Sequence, residues 1–105
     1  MDSVSSVKDL GLLRIPYVIC ITNSINCAAC IRFRPHFTEL AKLYAGIIQF
    51  VTADIYESPE LIEYFDVSHT PSVYLVYAED EWYVLDSRTS LTLKREIDSC
   101  LLEHL

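Results

Sequence analysis

Residues 16 to 22, PYVICIT, are apolar without polar alternation, the pattern of a central strand covered on both faces. From Ala28 the spacing changes. Cys30, Phe33, Phe37, Leu40 and Tyr44 recur at intervals of three and four, which predicts a long amphipathic helix over Ala28–Ala45 with Gly46 as its C-cap. IIQFVTADI, residues 47 to 55, reads as a second buried strand. Strand, helix and strand then form a βαβ unit with parallel strands and a right-handed crossover. Ser58 and Pro59 supply an N-cap and a first helical residue for a short helix carrying Leu61, Ile62 and Phe65. HTPSVYLVYAEDEWYVLD gives two strands, about 72 to 77 and 81 to 86, joined by an acidic turn and so antiparallel. Thr89 or Ser90 caps a last helix reaching about 104, with Leu93, Ile97 and Leu101 facing inward. With a short helix ahead of the first strand, the order is helix, β, α, β, α, β, β, α. The predicted fold class is α/β: a mixed central sheet in a three-layer α/β/α sandwich.

Composition narrows the function classes. The chain has 105 residues with no repeat, linker or low-complexity stretch, so residues 1–105 are read as a single domain large enough for its own core. Apolar residues make up 51%, but no apolar run approaches the ~18 residues of a membrane span. A formal charge of −7, from 15 acidic and 8 basic residues, argues against a nucleic-acid surface and predicts repulsion from anionic membranes. MDSVSSVKDLGLL has no basic n-region, and Asp2 and Asp9 stand where a targeting segment carries positive charge. The expected location is cytoplasmic. In such a reducing compartment a CxxC is more often redox-active or metal-binding than a structural crosslink.

Cys27-Ala28-Ala29-Cys30 falls where the first strong strand gives way to the long helix. Cys27 occupies the N-cap region, where unpaired backbone N–H groups and the helix dipole favour a thiolate, so its pKa is expected below the free value of ~8.5. It is the candidate nucleophile. Cys30, one turn on and in line with Phe33 and Phe37, is shielded and is the candidate resolving thiol. The three-residue spacing makes a reversible bond between them feasible. Cys20 lies in an all-apolar strand and Cys100 in the last helix; both read as inert core thiols. His36, His69 and His104 are scattered, so no metal site is expected. Redox dithiol, half of a metal site and buried pair remain the readings that the cysteine spacing itself offers.

The combination resembles the thioredoxin family. A strand, the CxxC, a helix with Pro35 five residues after the second cysteine, VTADIYESPELIEYFDV and a Thr-Pro pair opening a strand follow one another in this order. The resemblance runs from about residue 16 to the C-terminus, with the family's extra N-terminal strand shortened or missing. It implies a thioredoxin fold and reversible Cys27–Cys30 dithiol/disulfide exchange with protein disulfides. Pro71 would follow a cis bond and face the CxxC, and Thr70 would offer backbone hydrogen bonds to an extended substrate. A proline opening an otherwise apolar strand fits independently, since its missing N–H is tolerated there. Asn26, Thr70 and Pro71 thus complete the candidate substrate-binding set. An upstream reductase or glutathione would reset the pair, and no cofactor is expected; an iron–sulfur cluster bridging two chains is the lesser reading.

Departures from the family pattern bear on rate. Asn26 replaces the usual tryptophan, and Ala28-Ala29 replaces glycine-proline. Ile21 stands where the family carries a buried acid and Thr52 where it carries the lysine paired with it. Losing both avoids stranding one buried charge, but it removes a proton acceptor and predicts slower turnover near neutral pH. Arg32, Arg34 or His69 are candidates to stabilise the thiolate instead. The alternative reading is a redox-weak module that binds a protein partner as an added strand beside Thr70-Pro71. Cys27 reactivity separates the two.

Overall fold

The computed structural model describes residues 2–104. The element order is β1 (Asp2–Ser3), α1 (Val7–Leu10), β2 (Tyr17–Thr22), α2 (Ala28–Leu43), β3 (Gln49–Asp54), α3 (Pro59–Phe65), β4 (Ser72–Ala78), β5 (Glu81–Leu85) and α4 (Ser90–Leu102). Elements expected from the apolar pattern are all present, preceded by a two-residue β1 that the pattern did not predict and that the resemblance left as shortened or missing.

The five strands form one sheet in the order β1-β3-β2-β4-β5. β1 and β2 run parallel to β3, and β4 runs antiparallel to both β2 and β5. Strand β2 is therefore central, with hydrogen-bonded neighbours on each side. Its continuous apolar run follows from this position, because alternate side chains enter different cores. Val18 and Cys20 join Phe33, Phe37, Leu40, Leu75, Leu93 and Ile97 on the side of α2 and α4. Tyr17, Ile19 and Ile21 join Leu10, Leu61, Phe65 and Tyr74 on the side of α1 and α3. Two cores on two faces make the three layers: helices, sheet, helices.

Helix ends correct the sequence-based reading in detail. α2 stops at Leu43 with Tyr44 as C-cap, not at Ala45. Gly46, expected as the cap, instead takes φ +83 two residues later, the left-handed conformation that turns the chain toward β3 at least cost for glycine. Ser58 is the N-cap of α3, but its side chain makes no cap bond; its hydroxyl donates to the Val4 carbonyl at 3.3 Å and is fully buried. Satisfying a carbonyl just beyond the short β1 prevails there over capping. Thr89 does cap α4, accepting the Thr92 N–H. The Tyr44 hydroxyl donates to Asp98, which also pairs with Lys94, tying the end of α2 to α4. Two peptide bonds are cis, Ile15–Pro16 and Thr70–Pro71.

Candidate active site

The first turn of α2 emerges from the end of β2, after an Asn23 turn that the sequence pattern did not resolve. The Asn23 side-chain oxygen accepts the N–H groups of Ile25 and Asn26, and the Ser24 N–H donates to Asp54 at the end of β3. These bonds fix the approach of the chain to Cys27, because a short polar side chain substitutes for backbone partners in a tight turn. Cys27 is the N-cap, with extended backbone. Its Sγ accepts the Cys30 N–H at 3.1 Å.

Cys27 and Cys30 are joined as a disulfide with Cα atoms 5.2 Å apart. Their environments differ: Cys27 is half-buried, whereas Cys30 is 4% exposed behind it. An outside sulfur can therefore approach Cys27 but not Cys30. Thr70 faces Cys27 across the gap, its carbonyl oxygen 3.7 Å and its hydroxyl 3.5 Å from Sγ. Pro71 is buried behind it, and β4 begins at Ser72. Strand pairing of β4 with β2, Ser72 opposite Ile21, is what brings a turn more than 40 residues away to the CxxC. Asn26 is exposed beside Cys27, within a rim that includes the exposed Ile25 and Ile31.

The remaining sequence candidates separate. Ile21 is fully buried opposite Ala53, and Thr52 is half-buried opposite Cys20, so neither position offers an ionisable group to the pair. Arg32 and His69 line a groove beside the cysteines; Arg34, on another face of α2, does not. The sequence reading missed Arg88. Its guanidinium donates to the carbonyl oxygens of Pro71, Leu85 and Ser87 at 3.1, 2.7 and 2.9 Å. It also lies 5.4 Å from the centre of the Phe33 ring. Such a fork can hold several carbonyls at once, joining the Thr70–Pro71 turn to β5 and to the helix that carries the cysteines. A lone arginine in a loop before a helix carries no sequence signal for this role.

The other two thiols are free, Cys20 buried and Cys100 partly so. Burial pushes the Cys20 thiol up to about 12, and burial, with Glu96 and Glu103 nearby, raises Cys100. Reactivity should follow. After reduction, iodoacetamide at pH 7.5 is expected to label Cys27 first and to leave Cys20 unlabelled until denaturant is added. Peptide mapping by mass reads the order, and early labelling of Cys20 would contradict the packing of β2. Among the described residues no group of three or more His, Cys, Asp or Glu is arranged to hold a metal.

Comparison with known proteins agrees with this geometry. The family model described as Thioredoxin matches residues 17–99. Over 64 residues the chain is 34% identical to Thioredoxin H5 of Oryza sativa subsp. japonica, a match covering 61% of this chain and 47%, about half, of that relative. Among solved structures, the fold is similar to oxidised mitochondrial thioredoxin 3 of Saccharomyces cerevisiae, with a TM-score of 0.79 at 20% identity over 94% of each chain. It is similar as well to Fasciola hepatica thioredoxin, with a TM-score of 0.81 at 17% identity over 94% of this chain and 98% of that one. At such identities the structural likeness speaks for the fold, while the family model covers most of the sequence with the cysteine pair inside it. The chain belongs to the thioredoxin family.

Proposed function

We propose that the protein is a thiol–disulfide oxidoreductase acting on protein disulfides, with Cys27 as nucleophile and Cys30 as resolving thiol. The observation that carries this reading is the asymmetric pair: a half-buried Cys27 at a helix N-cap bonded to a shielded Cys30. In the reduced form, backbone N–H groups of the first turn, the Cys30 N–H first among them, stabilise negative charge on the Cys27 sulfur. The thiolate attacks one sulfur of the substrate disulfide. That bond breaks, the departing sulfur takes up a proton, and a mixed disulfide forms on Cys27. Cys30, losing its proton, then attacks the Cys27 sulfur; the second substrate sulfur leaves and is protonated. Two electrons pass from the dithiol to the substrate, and the Cys27–Cys30 disulfide remains. Both electrons come from the cysteine pair, so the cycle as written uses no bound cofactor.

Thr70, Pro71 and Asn26 would form the substrate edge. The Thr70 carbonyl beside Cys27 is placed to accept a backbone N–H from an extended segment, in the manner of an added strand. Resetting the pair would need an upstream reductase or glutathione, which fits a reducing compartment such as the cytoplasm. No helix among the described residues is long and apolar enough to cross a membrane. Lacking an acid at Ile21, the resolving step is expected to be slow near neutral pH.

The test is a redox titration of the pair in graded glutathione buffers, read by mass after thiol trapping, with Cys27→Ser as control. A reversible two-electron transition at or below the cytosolic range of potentials is expected. A pair that closes only under harsh oxidant would sink this reading and leave a partner-binding module in its place.

A further inference from the structure

Although the chain has a net charge of −7, the surface against its cysteine pair has the opposite character. A groove of about 500 Å³ opens between Ala29 on α2 and the Thr70–Pro71 turn. Arg32, His36, His69 and Arg88 line it, against one acid, Asp86. Two of the chain's three histidines are gathered there. Among the described residues neither arginine has a carboxylate within salt-bridge distance; the ion pair present is Lys94–Asp98. Arg88 is held by three carbonyl oxygens, which fix its guanidinium in place without cancelling its charge. His36 is oriented as well. Its Nδ1 accepts the Ser90 backbone N–H at 2.9 Å, which leaves Nε2–H as the ring's free donor.

Beyond Thr70 the lining changes. A smaller cavity of about 280 Å³ has an apolar wall of Ile55, Ile62 and Val67 facing Ser68, and His69 and Thr70 border both spaces. A segment laid across Thr70 meets an apolar seat toward α3 and a cationic seat toward α4.

We propose that this groove selects disulfides flanked by acidic residues: a protein segment with Asp or Glu next to its cysteine docks that carboxylate against Arg32 and Arg88. The inference rests on the oxidoreductase reading above and adds the substrate class. A protein segment fits better than glutathione because one wall of the second cavity, Ile55, Ile62 and Val67, is apolar. Glutathione carries no apolar side chain to fill it, whereas a protein segment can place an apolar residue there and an acidic one opposite. Selection acts at contact rather than at long range, since the overall negative charge repels an acidic partner until the groove is within a screening length.

The test uses the pre-reduced protein in single turnover with three disulfide peptides identical except for Glu, Gln or Lys flanks. Each rate is divided by that with dithiothreitol, which removes the effect of the flanks on the disulfide itself. The Glu peptide is expected to be reduced about fivefold faster than the Gln peptide, the scale of one partly exposed ion pair, with the Lys peptide slowest and the differences shrinking in added salt. Arg32→Glu, on an exposed helix position, should reverse the Glu-over-Lys order. Lys42→Glu makes the same charge change about 15 Å away along α2 and should keep the order. Arg88→Lys, checked by thermal melting for an intact fold, should reduce the ratio because a single ammonium cannot hold three carbonyls and a carboxylate. Equal rates for all three peptides would overturn the acidic preference and leave the oxidoreductase reading standing. No reduction of any peptide overturns both. Faster reduction of glutathione disulfide than of the Glu peptide would overturn the protein-segment assignment.

Discussion

Cys30→Ser is expected to turn exchange into a trap. Cys27 keeps its N-cap position and its nucleophile, so attack on a substrate disulfide still occurs. What is lost is the second thiol, whose Cα lies 5.2 Å from that of Cys27. Such proximity makes resolution intramolecular, and its loss should lengthen the life of the mixed disulfide by at least about a thousandfold at ordinary external thiol concentrations. A serine hydroxyl cannot substitute, because it is neither ionised nor nucleophilic toward sulfur near neutral pH. Incubation with a model disulfide protein followed by non-reducing mass analysis should show one adduct, on Cys27, and Cys27→Ser should show none. An adduct on Cys20 or Cys100 would contradict the assignment, and one on Cys20 would also contradict its burial at 2% exposure.

The largest expected loss of stability lies at Leu75. This residue is fully buried in β4, opposite Val18 on β2 and Tyr83 on β5, and it belongs to the core formed with Phe33, Phe37, Leu93 and Ile97. Leu75→Ala removes three carbon atoms where β4, β2, β5, α2 and α4 meet, and neighbouring strands cannot collapse into the space without breaking register. The expected cost is about 3 kcal/mol, with a Tm lower by roughly 10 °C or more. Leu91→Ala, at a position 58% exposed in the first turn of α4, should stay within about 0.5 kcal/mol. Urea melts with unchanged slope would check both. A small effect at Leu75 would mean that this core is more loosely packed than its geometry indicates.

Much of the fold was legible because each element announces itself locally. The apolar run at 17–22 and the three-and-four spacing from Cys30 to Tyr44 each mark an element that needs no knowledge of its neighbours. β1 was not legible as a full strand, since Asp2 and Ser3 are polar and exposed; only their pairing with Val51 and Thr52 makes them a strand. Ser58 stands at the N-cap as expected, but its hydroxyl makes no cap bond, because the Val4 carbonyl that it meets, 54 positions away, is brought to it only by the fold.

The candidate site divides in the same way. By itself the sequence determined the two cysteines, their spacing across a helix start and the different exposure expected of each, since helix geometry and the N-terminal dipole act within one turn. It also determined that Ile21 and Thr52 bring no charge. Only the tertiary structure decided which distant groups face Cys27. Pairing of β4 with β2 brings Thr70 to within 3.5 Å. Arg88, from a loop after β5, is tied to the Pro71 carbonyl. Arg32 is separated from Arg34, one lining the groove with His36 and His69 and the other turned elsewhere. The reason is physical: propensity and periodicity are properties of neighbouring residues, whereas the charge and shape of a groove belong to side chains that come together only when separate elements pack.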